Sequence, residues 1–94
     1  MAKKLSFSKA LDAVKKGEII CRDGWNGKGM FVTMQEGYPN GVACNKNSSK
    51  AYKVKEGTMI KVLPYLVMKT VDGSFVPWLA SQTDILAEDW TILK

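Results

Sequence analysis

The sequence predicts a small α+β protein in which an N-terminal amphipathic helix packs on a mainly antiparallel sheet. The first apolar residues recur at the i, i+3, i+4 and i+7 spacing of one helical face, at Phe7, Ala10, Leu11 and Val14. Later segments alternate apolar and polar residues as half-buried strands do, and Asp72-Gly73 is a strong hairpin signal. A short C-terminal helical turn and a closing strand complete the prediction.

The predicted elements follow in order. Ser6 or Ser8 can cap the first helix, which Gly17 ends, and strands are expected at 18–22 and 30–36 around a Gly-rich turn. Residues 37–51 are rich in Gly, Pro, Asn and Ser and are predicted to form a loop with a short extended piece at 42–44. The remaining segments are predicted to be extended at 52–54, 58–63, 64–70, 75–78 and 90–93.

Two residues define the ends of the last predicted elements. Pro77 cannot donate a ladder hydrogen bond, which places the strand over 75–78 at an edge of the sheet or ends it there. Ser81 and Asp84 have the spacing of a capping-box variant and predict a short helical turn before the closing strand.

The length and composition indicate one cytoplasmic domain spanning residues 1–94. A chain of 94 residues buries a small core, so a subunit interface or a bound ligand could add to its stability. The hydrophobic fraction of 46% is ordinary for a globular protein, and no apolar run approaches the roughly 20 residues of a membrane span. The basic start lacks the apolar region of a signal peptide.

The residue types that the sequence lacks exclude many classes of enzyme active site. The chain has no His, which excludes a Ser-His-Asp triad, a Cys-His pair and most zinc sites. Cys21 and Cys44 are spaced too far apart for a C-x-x-C motif and are expected to be free thiols in a reducing cytosol. No metal and no cofactor are expected.

The charge distribution favours an anionic partner. Residues 1–69 carry 13 basic groups against five acidic ones, a balance that attracts phosphate groups. Thirteen of the 14 cations are Lys and only Arg22 is Arg, whereas surfaces that read duplexes rely on the bidentate contacts of Arg. A small anionic ligand therefore fits at least as well as DNA or RNA.

The segment RDGWNGKGMF, residues 22–31, contains the parts of a nucleotide pocket. Its three glycines let a ligand approach backbone N–H groups, Lys28 adds a positive charge, and Trp25 offers a flat face for a base. The segment lacks the P-loop pattern. The alternative is a hairpin turn at Asn26-Gly27 with Trp25 lying over the sheet or at a subunit interface.

A second polar cluster follows in PWLASQTD, residues 77–84. Its hydroxyl, amide and carboxylate groups could hold ribose hydroxyls, a base edge or a phosphate. The alternative is structural: Ser81 and Asp84 cap the helix, Gln82 and Thr83 are solvated, and Trp78 belongs to the core. Asp84 and Glu88 could mimic an acid-base pair, but a solvated helical face is several times more common.

Three blocks of the chain resemble the Thoeris anti-defence type 2 family of phages and prophages. They are the N-terminal S-x-x-x-A-L-x-x-V-K-x-G segment, R-x-G-W-N-G-K-G-M-F, and the long run from L-P-Y-L-V-M-K-T to A-E-D-W. The resemblance extends over nearly the whole chain and is weakest at residues 36–56. It implies a single α+β domain of this family over residues 1–94.

The resemblance also implies a function. Family members act as homotetrameric sponges in the bacterial host cell: they bind glycocyclic ADP-ribose immune signals without degrading them, and some hold cyclic dinucleotides in separate pockets. Carried onto this chain, the ligand-binding residues are Trp25, Asn26, Lys28, Ser81, Gln82, Thr83 and Asp84. Arg22, Lys69 and Trp78 are further candidates that could equally serve packing or a subunit contact.

Three questions stay open at this point. The two blocks could line a pocket from one chain or from neighbouring subunits. A hydrolase that cleaves the signal is one alternative function, with the C-terminal carboxylates as its general base. A basic nucleic-acid-binding module is the other, and its affinity would fall steeply with salt.

Overall fold

The computed structural model describes residues 4–25 and 29–93. The elements in chain order are α1 (Phe7–Lys15), β1 (Ile19–Arg22), β2 (Phe31–Gln35), β3 (Tyr38–Ala43), α2 (Lys46–Tyr52), β4 (Met59–Val62), β5 (Tyr65–Lys69), β6 (Phe75–Pro77), α3 (Gln82–Leu86) and β7 (Trp90–Leu93). The predicted α+β class is confirmed. The chain divides into two compact units, residues 1–35 with 66–94, and residues 36–65.

The first unit contains a five-stranded sheet in the order β6-β5-β2-β1-β7. β1 runs antiparallel to both of its neighbours, with Ile20 opposite Val32 on β2 and Ile92 on β7. The β6 strand lies at one edge, as Pro77 predicted. β7 forms the other edge, where Leu5 adds one isolated antiparallel bridge to Trp90.

Helix α1 closes one face of this sheet. Ser6 caps it, because its hydroxyl accepts the Lys9 N–H, and the buried side chains of the helix are Ala10 and Val14. These two residues, with Ile20, Val32 and Trp90, form a core cluster that is fully excluded from solvent. The amphipathic helix over residues 7–14 is therefore confirmed.

The hairpin between β5 and β6 is also confirmed. The Asp72 carboxylate accepts hydrogen bonds from the Thr70 hydroxyl and the Ser74 N–H, and Gly73 has a φ of +90°. The bond from Thr70, followed by those from Ser74, lowers the pKa of Asp72 to about 2. The aspartate is thus ionised and fixes the turn.

The second unit differs in part from the prediction. The strand expected at 58–63 is confirmed by β4, and β3 includes part of the extended piece expected at 42–44. The rest of 37–51 is not a loop: β3 pairs antiparallel with β4, and α2 follows it. The strand lacks clean alternation because its register shifts between Tyr38 and Val42, where Gly41 has a φ of +99°. The extended segment expected at 52–54 is also wrong, since Tyr52 ends α2.

Helix α2 lacks the apolar stripe by which a sequence predicts an amphipathic helix. Its N-terminus is capped by Asn45, whose side-chain oxygen accepts the Ser48 N–H at 2.8 Å, and its buried residue is Ser49.

Within the two described ranges, no helix is long and apolar enough to cross a bilayer.

Candidate ligand-binding site

The first unit places the three tryptophans of the chain in one aromatic cluster. The ring of Trp25 lies 5.3 Å from that of Trp90 and 6.4 Å from that of Trp78, in both cases edge to face. Phe7 of α1 approaches Trp78 and Trp90 from the helix side, at 6.2 and 5.3 Å. Edge-to-face contacts at these distances are favourable. Trp25 is half-buried, so its ring both packs on the core and retains accessible surface.

A charged network lies beside this aromatic cluster. The Arg22 guanidinium donates from Nε to Asp89 Oδ1 and from Nη1 to Asp84 Oδ1, each at 2.8 Å. The Arg22 and Asp84 side chains are both 14% exposed. The two ion pairs, which we call the Arg22 clamp, join the end of β1 to α3 and to the residue before β7.

The Arg22 clamp also reaches the turn that contains Trp25. Asp89 Oδ2 accepts the backbone N–H of Gly24 at 2.8 Å, and Asp84 Oδ1 accepts the indole N–H of Trp25 at 3.3 Å. A Cβ at Gly24 would lie 2.8 Å from Asp89 Oδ2, so the Asp89 carboxylate would have to shift to admit a larger residue there. Trp25 is thus restrained through its side chain and through its backbone neighbour.

Hydrogen bonding decides the protonation of the two carboxylates. Burial by itself raises the pKa of Asp84, but bonds from Arg22, Trp25 and Ser81 outweigh it and leave the pKa below its ordinary value. The bond from Arg22, aided by the Gly24 N–H, lowers the pKa of Asp89. The same two carboxylates raise the pKa of Arg22. All three groups are therefore charged at neutral pH.

The predicted polar run surrounds the N-terminus of α3. Ser81 caps that helix in the predicted capping box: its hydroxyl accepts the Asp84 N–H at 3.1 Å, and Asp84 Oδ2 accepts from Ser81 in return. Gln82 and Thr83 are exposed. Asn26 and Lys28 lie outside the described residues.

Lys69 lies beside Gly29, two residues before β2 begins. Its ammonium group donates to the Gly29 carbonyl at 3.1 Å and stands 5.5 Å from the centre of the Phe31 ring. This position places a positive charge beside Gly29 and the Phe31 ring.

The predicted site residues did not include Trp90 of the aromatic cluster or Asp89 of the Arg22 clamp. Trp90 is completely buried and donates its indole N–H to the backbone carbonyl of Asp84 at 2.9 Å, and Asp89 completes the Arg22 clamp. Both belong to the A-E-D-W end of the third resembling block. Their place in that block was the sequence signal that could have identified Trp90 and Asp89 as site residues, although their proximity to Arg22 is seen only in the folded chain.

Trp25 and Trp78, Arg22 and Asp84 therefore meet within one chain. The fold and the site therefore define a class of protein: a small α+β protein in which a restrained tryptophan lies beside the polar N-terminus of a helix. A family model described as a Thoeris anti-defense 2-like domain matches residues 5–93. The chain belongs to this family.

The similarity of the chain to a phage protein agrees with the family match. The chain is 34% identical over 94 residues to Thoeris anti-defense 2 of Bacillus phage SP01, and the alignment covers the whole of both chains. Family membership supports an anti-defence role.

The Arg22 clamp should weaken in acid. Because the pKa values of Asp84 and Asp89 are lower in the folded state than the ordinary value of about 3.9, their contribution is complete above that pH and is lost as the pH falls through the folded-state values. We expect the free energy of unfolding, measured with urea, to fall below about pH 4. Asp89→Asn should be less stable at pH 7 and should flatten this dependence. Glu88→Gln, at an exposed neighbour, is the matched control, and its stability at pH 7 should stay within about 0.5 kcal/mol of that of the unaltered protein.

Proposed function

We propose that this protein is an anti-defence sponge that binds cyclic nucleotide immune signals in the cytoplasm of a bacterial host and keeps them intact. The proposed ligands are glycocyclic ADP-ribose isomers, with cyclic dinucleotides in a separate pocket. The observation that carries the proposal is the meeting, within one chain, of the Trp25 ring with the Ser81–Asp84 run.

The Trp25 ring suits base stacking. It is held edge to face against Trp90 and Trp78, yet part of its surface remains accessible. Any planar base can stack on such a ring, because every base has a flat π-face. The exposed side chains of Gln82 and Thr83 carry the donors and acceptors that ribose hydroxyls or a base edge need.

The same region can neutralise a pyrophosphate. Lys69 stands at the end of the Gly-rich turn, and Lys28 and the glycine N–H groups of the turn are proposed to meet the phosphate oxygens. The excess of basic groups in residues 1–69 adds a long-range attraction.

The carboxylates favour binding over hydrolysis. A general base works best when its pKa lies near neutrality, whereas hydrogen bonds hold the pKa values of Asp84 and Asp89 below their ordinary value. Both carboxylates are also occupied by Arg22. In residues 4–25 and 29–93, no three acidic or Cys side chains are grouped to hold a metal ion.

Replacing Trp25 with alanine tests the site. We expect isothermal titration calorimetry with glycocyclic ADP-ribose to show a loss of about 1 to 3 kcal/mol in binding free energy, because a stacking surface is removed. The ring also packs on Trp90, so the titration is run well below the melting temperature of the variant. Trp25→Phe should bind more tightly than Trp25→Ala because it keeps an aromatic face.

The matched control is Tyr52→Ala, which removes an exposed ring from α2 in the second unit. Its affinity should equal that of the unaltered protein. Equal affinities for Trp25→Ala and Tyr52→Ala would overturn the stacking role.

Recovery of the nucleotide separates a sponge from a hydrolase. The protein is incubated with glycocyclic ADP-ribose and heat-denatured, and the released nucleotide is analysed by chromatography. Intact nucleotide supports the proposal, and linear product would contradict it. Tight binding of single-stranded or duplex nucleic acid with a steep salt dependence, without binding of cyclic nucleotides, would favour the nucleic-acid alternative.

A homotetramer is part of the proposal. Large apolar side chains in and before α3 are exposed in the single chain, at Leu79, Ile85 and Leu86. Exposed apolar patches of this kind suit subunit contacts. Light scattering should give a mass of about four chains, and a second nucleotide that binds without displacing the first would support separate pockets.

A further inference from the structure

We propose that Asp84 is a positioning residue that fixes the Trp25 ring for the ligand and does not contact the ligand itself. This inference rests on the proposed function and refines the role of one predicted ligand-binding residue.

The carboxylate of Asp84 has little acceptor capacity left for a ligand. Its Oδ1 accepts from Arg22 Nη1 at 2.8 Å and from Trp25 Nε1 at 3.3 Å. Its Oδ2 accepts from the Ser81 hydroxyl at 3.0 Å and from the Ser81 backbone N–H at 3.4 Å. A carboxylate has about four lone-pair sites, and four protein donors already occupy them.

The position of Asp84 is itself fixed from several directions. Arg22 is held by Asp89 on its other side, so the guanidinium cannot follow a moving carboxylate. The backbone carbonyl of Asp84 accepts the indole N–H of the buried Trp90 at 2.9 Å. The acceptor presented to Trp25 is therefore part of a rigid framework.

The Trp25 indole is the group that this framework restrains. Its N–H points to Asp84 Oδ1, and the backbone N–H of Gly24, one residue earlier, is bonded to Asp89. A ring that is already ordered loses less side-chain freedom when a ligand binds. Asp84 is expected to raise affinity by this route.

A double-mutant cycle separates positioning from direct contact. Trp25→Phe keeps an aromatic face but removes the indole N–H, and Asp84→Asn removes the charged acceptor. With glycocyclic ADP-ribose as the probe in calorimetry, Asp84→Asn should weaken binding about tenfold in the unaltered background. In the Trp25→Phe background it should weaken binding less than about twofold, because the bond it acts through is already absent.

Two results of the cycle would overturn the proposal. An equal loss in both backgrounds would mean that Asp84 contacts the ligand directly, and no loss in either would mean that it has no role in binding. Gln82→Ala, at the exposed neighbour, provides the comparison for a direct contact, since its loss should be the same in both backgrounds. If Asp84→Asn does not fold, Arg22→Lys replaces it in the cycle.

A second readout needs no ligand. The Trp25 indole N–H resonance is identified in a nitrogen-proton spectrum by its disappearance in Trp25→Phe, and its exchange with solvent is measured. Asp84→Asn should shift this resonance and speed its exchange, whereas the Trp90 indole should change little. If the unaltered protein binds none of the cyclic nucleotides, the proposed function fails, and an unchanged Trp25 exchange rate would overturn the positioning role separately.

Discussion

Replacing Trp90 with alanine is expected to lower the free energy of unfolding by about 3 to 5 kcal/mol, the largest loss from any single side chain considered. Trp90 is completely buried and lies at the centre of the aromatic cluster. Its ring contacts those of Phe7 and Trp25 at 5.3 Å and that of Trp78 at 6.0 Å. The variant loses this packing and leaves a cavity.

The polar end of Trp90 adds to the expected loss. Its indole N–H donates to the Asp84 carbonyl at 2.9 Å, so the alanine variant also loses this hydrogen bond and leaves the carbonyl with the longer bond from the Ala87 N–H at 3.4 Å. A domain of this size has a total stability of about 5 to 15 kcal/mol, and the variant should therefore be largely unfolded at 37 °C if the protein lies at the lower end of that range.

Urea denaturation followed by circular dichroism measures the effect. Trp90→Phe should lose less, because it keeps an aromatic ring and gives up the hydrogen bond and part of the volume. Leu63→Ala is the control for removing a large apolar residue that is 81% exposed and lies outside the proposed subunit contacts, and its change should stay within about 0.5 kcal/mol. Equal stabilities for Trp90→Ala and Leu63→Ala would mean that the aromatic cluster is not the centre of the fold.

The elements with a strong local signal were predictable from sequence. Helix α1 has a helical stripe, a serine cap and a glycine stop, and β2 places Val32 in the core with Met34 packed against it, as its sequence pattern predicts. The capping box at Ser81 likewise depends on two residues three positions apart. Each signal comes from neighbours in the chain, which is the range that a single sequence reports.

Two elements of the second unit, β3 and α2, were not predictable in the same way. The bulged pairing of β3 removes the period-2 pattern that identifies a strand, and α2 buries a serine where a helix normally buries apolar residues. Its cap, Asn45, is one of three asparagines in a polar segment and does not stand out. β3 is stabilised by its antiparallel pairing with β4, a contact that the local pattern of β3 does not report.

The candidate site was predictable as two blocks and not as one cluster. Arg22 and Asp89 are 67 positions apart, and only the pairing of β1 with β7 places Arg22 opposite Trp90 and thus beside Asp89. The sequence suggested either a ligand face or a packed ring for Trp25. In the structure the ring packs on Trp90 and keeps accessible surface, so the two interpretations are compatible, and the ligand role stays a prediction.

Replacing Arg22 with alanine is expected to cost about 3 kcal/mol of stability. The substitution leaves two carboxylates without their cation: Asp84, which is 14% exposed, and Asp89, which is 25% exposed. They lie 62 and 67 positions after Arg22 in the chain, so the substitution also removes the bonds that join them to the end of β1. Burial of unpaired charge is much more costly than loss of an exposed ion pair. Affinity for glycocyclic ADP-ribose should fall as well, since the acceptor that restrains Trp25 is released.

The exposed ion pair between Lys4 and Asp23 supplies the matched control. Its partners are 3.1 Å apart, with side chains 63% and 45% exposed, so Lys4→Ala should cost at most about 1 kcal/mol. Adding Asp84→Asn and Asp89→Asn to Arg22→Ala should restore part of the lost stability, because the unpaired charges are then removed. If urea denaturation gives Arg22→Ala the same stability as Lys4→Ala, the Arg22 clamp is no stronger than a surface ion pair, and the rigidity inferred for Trp25 must come from its aromatic neighbours alone.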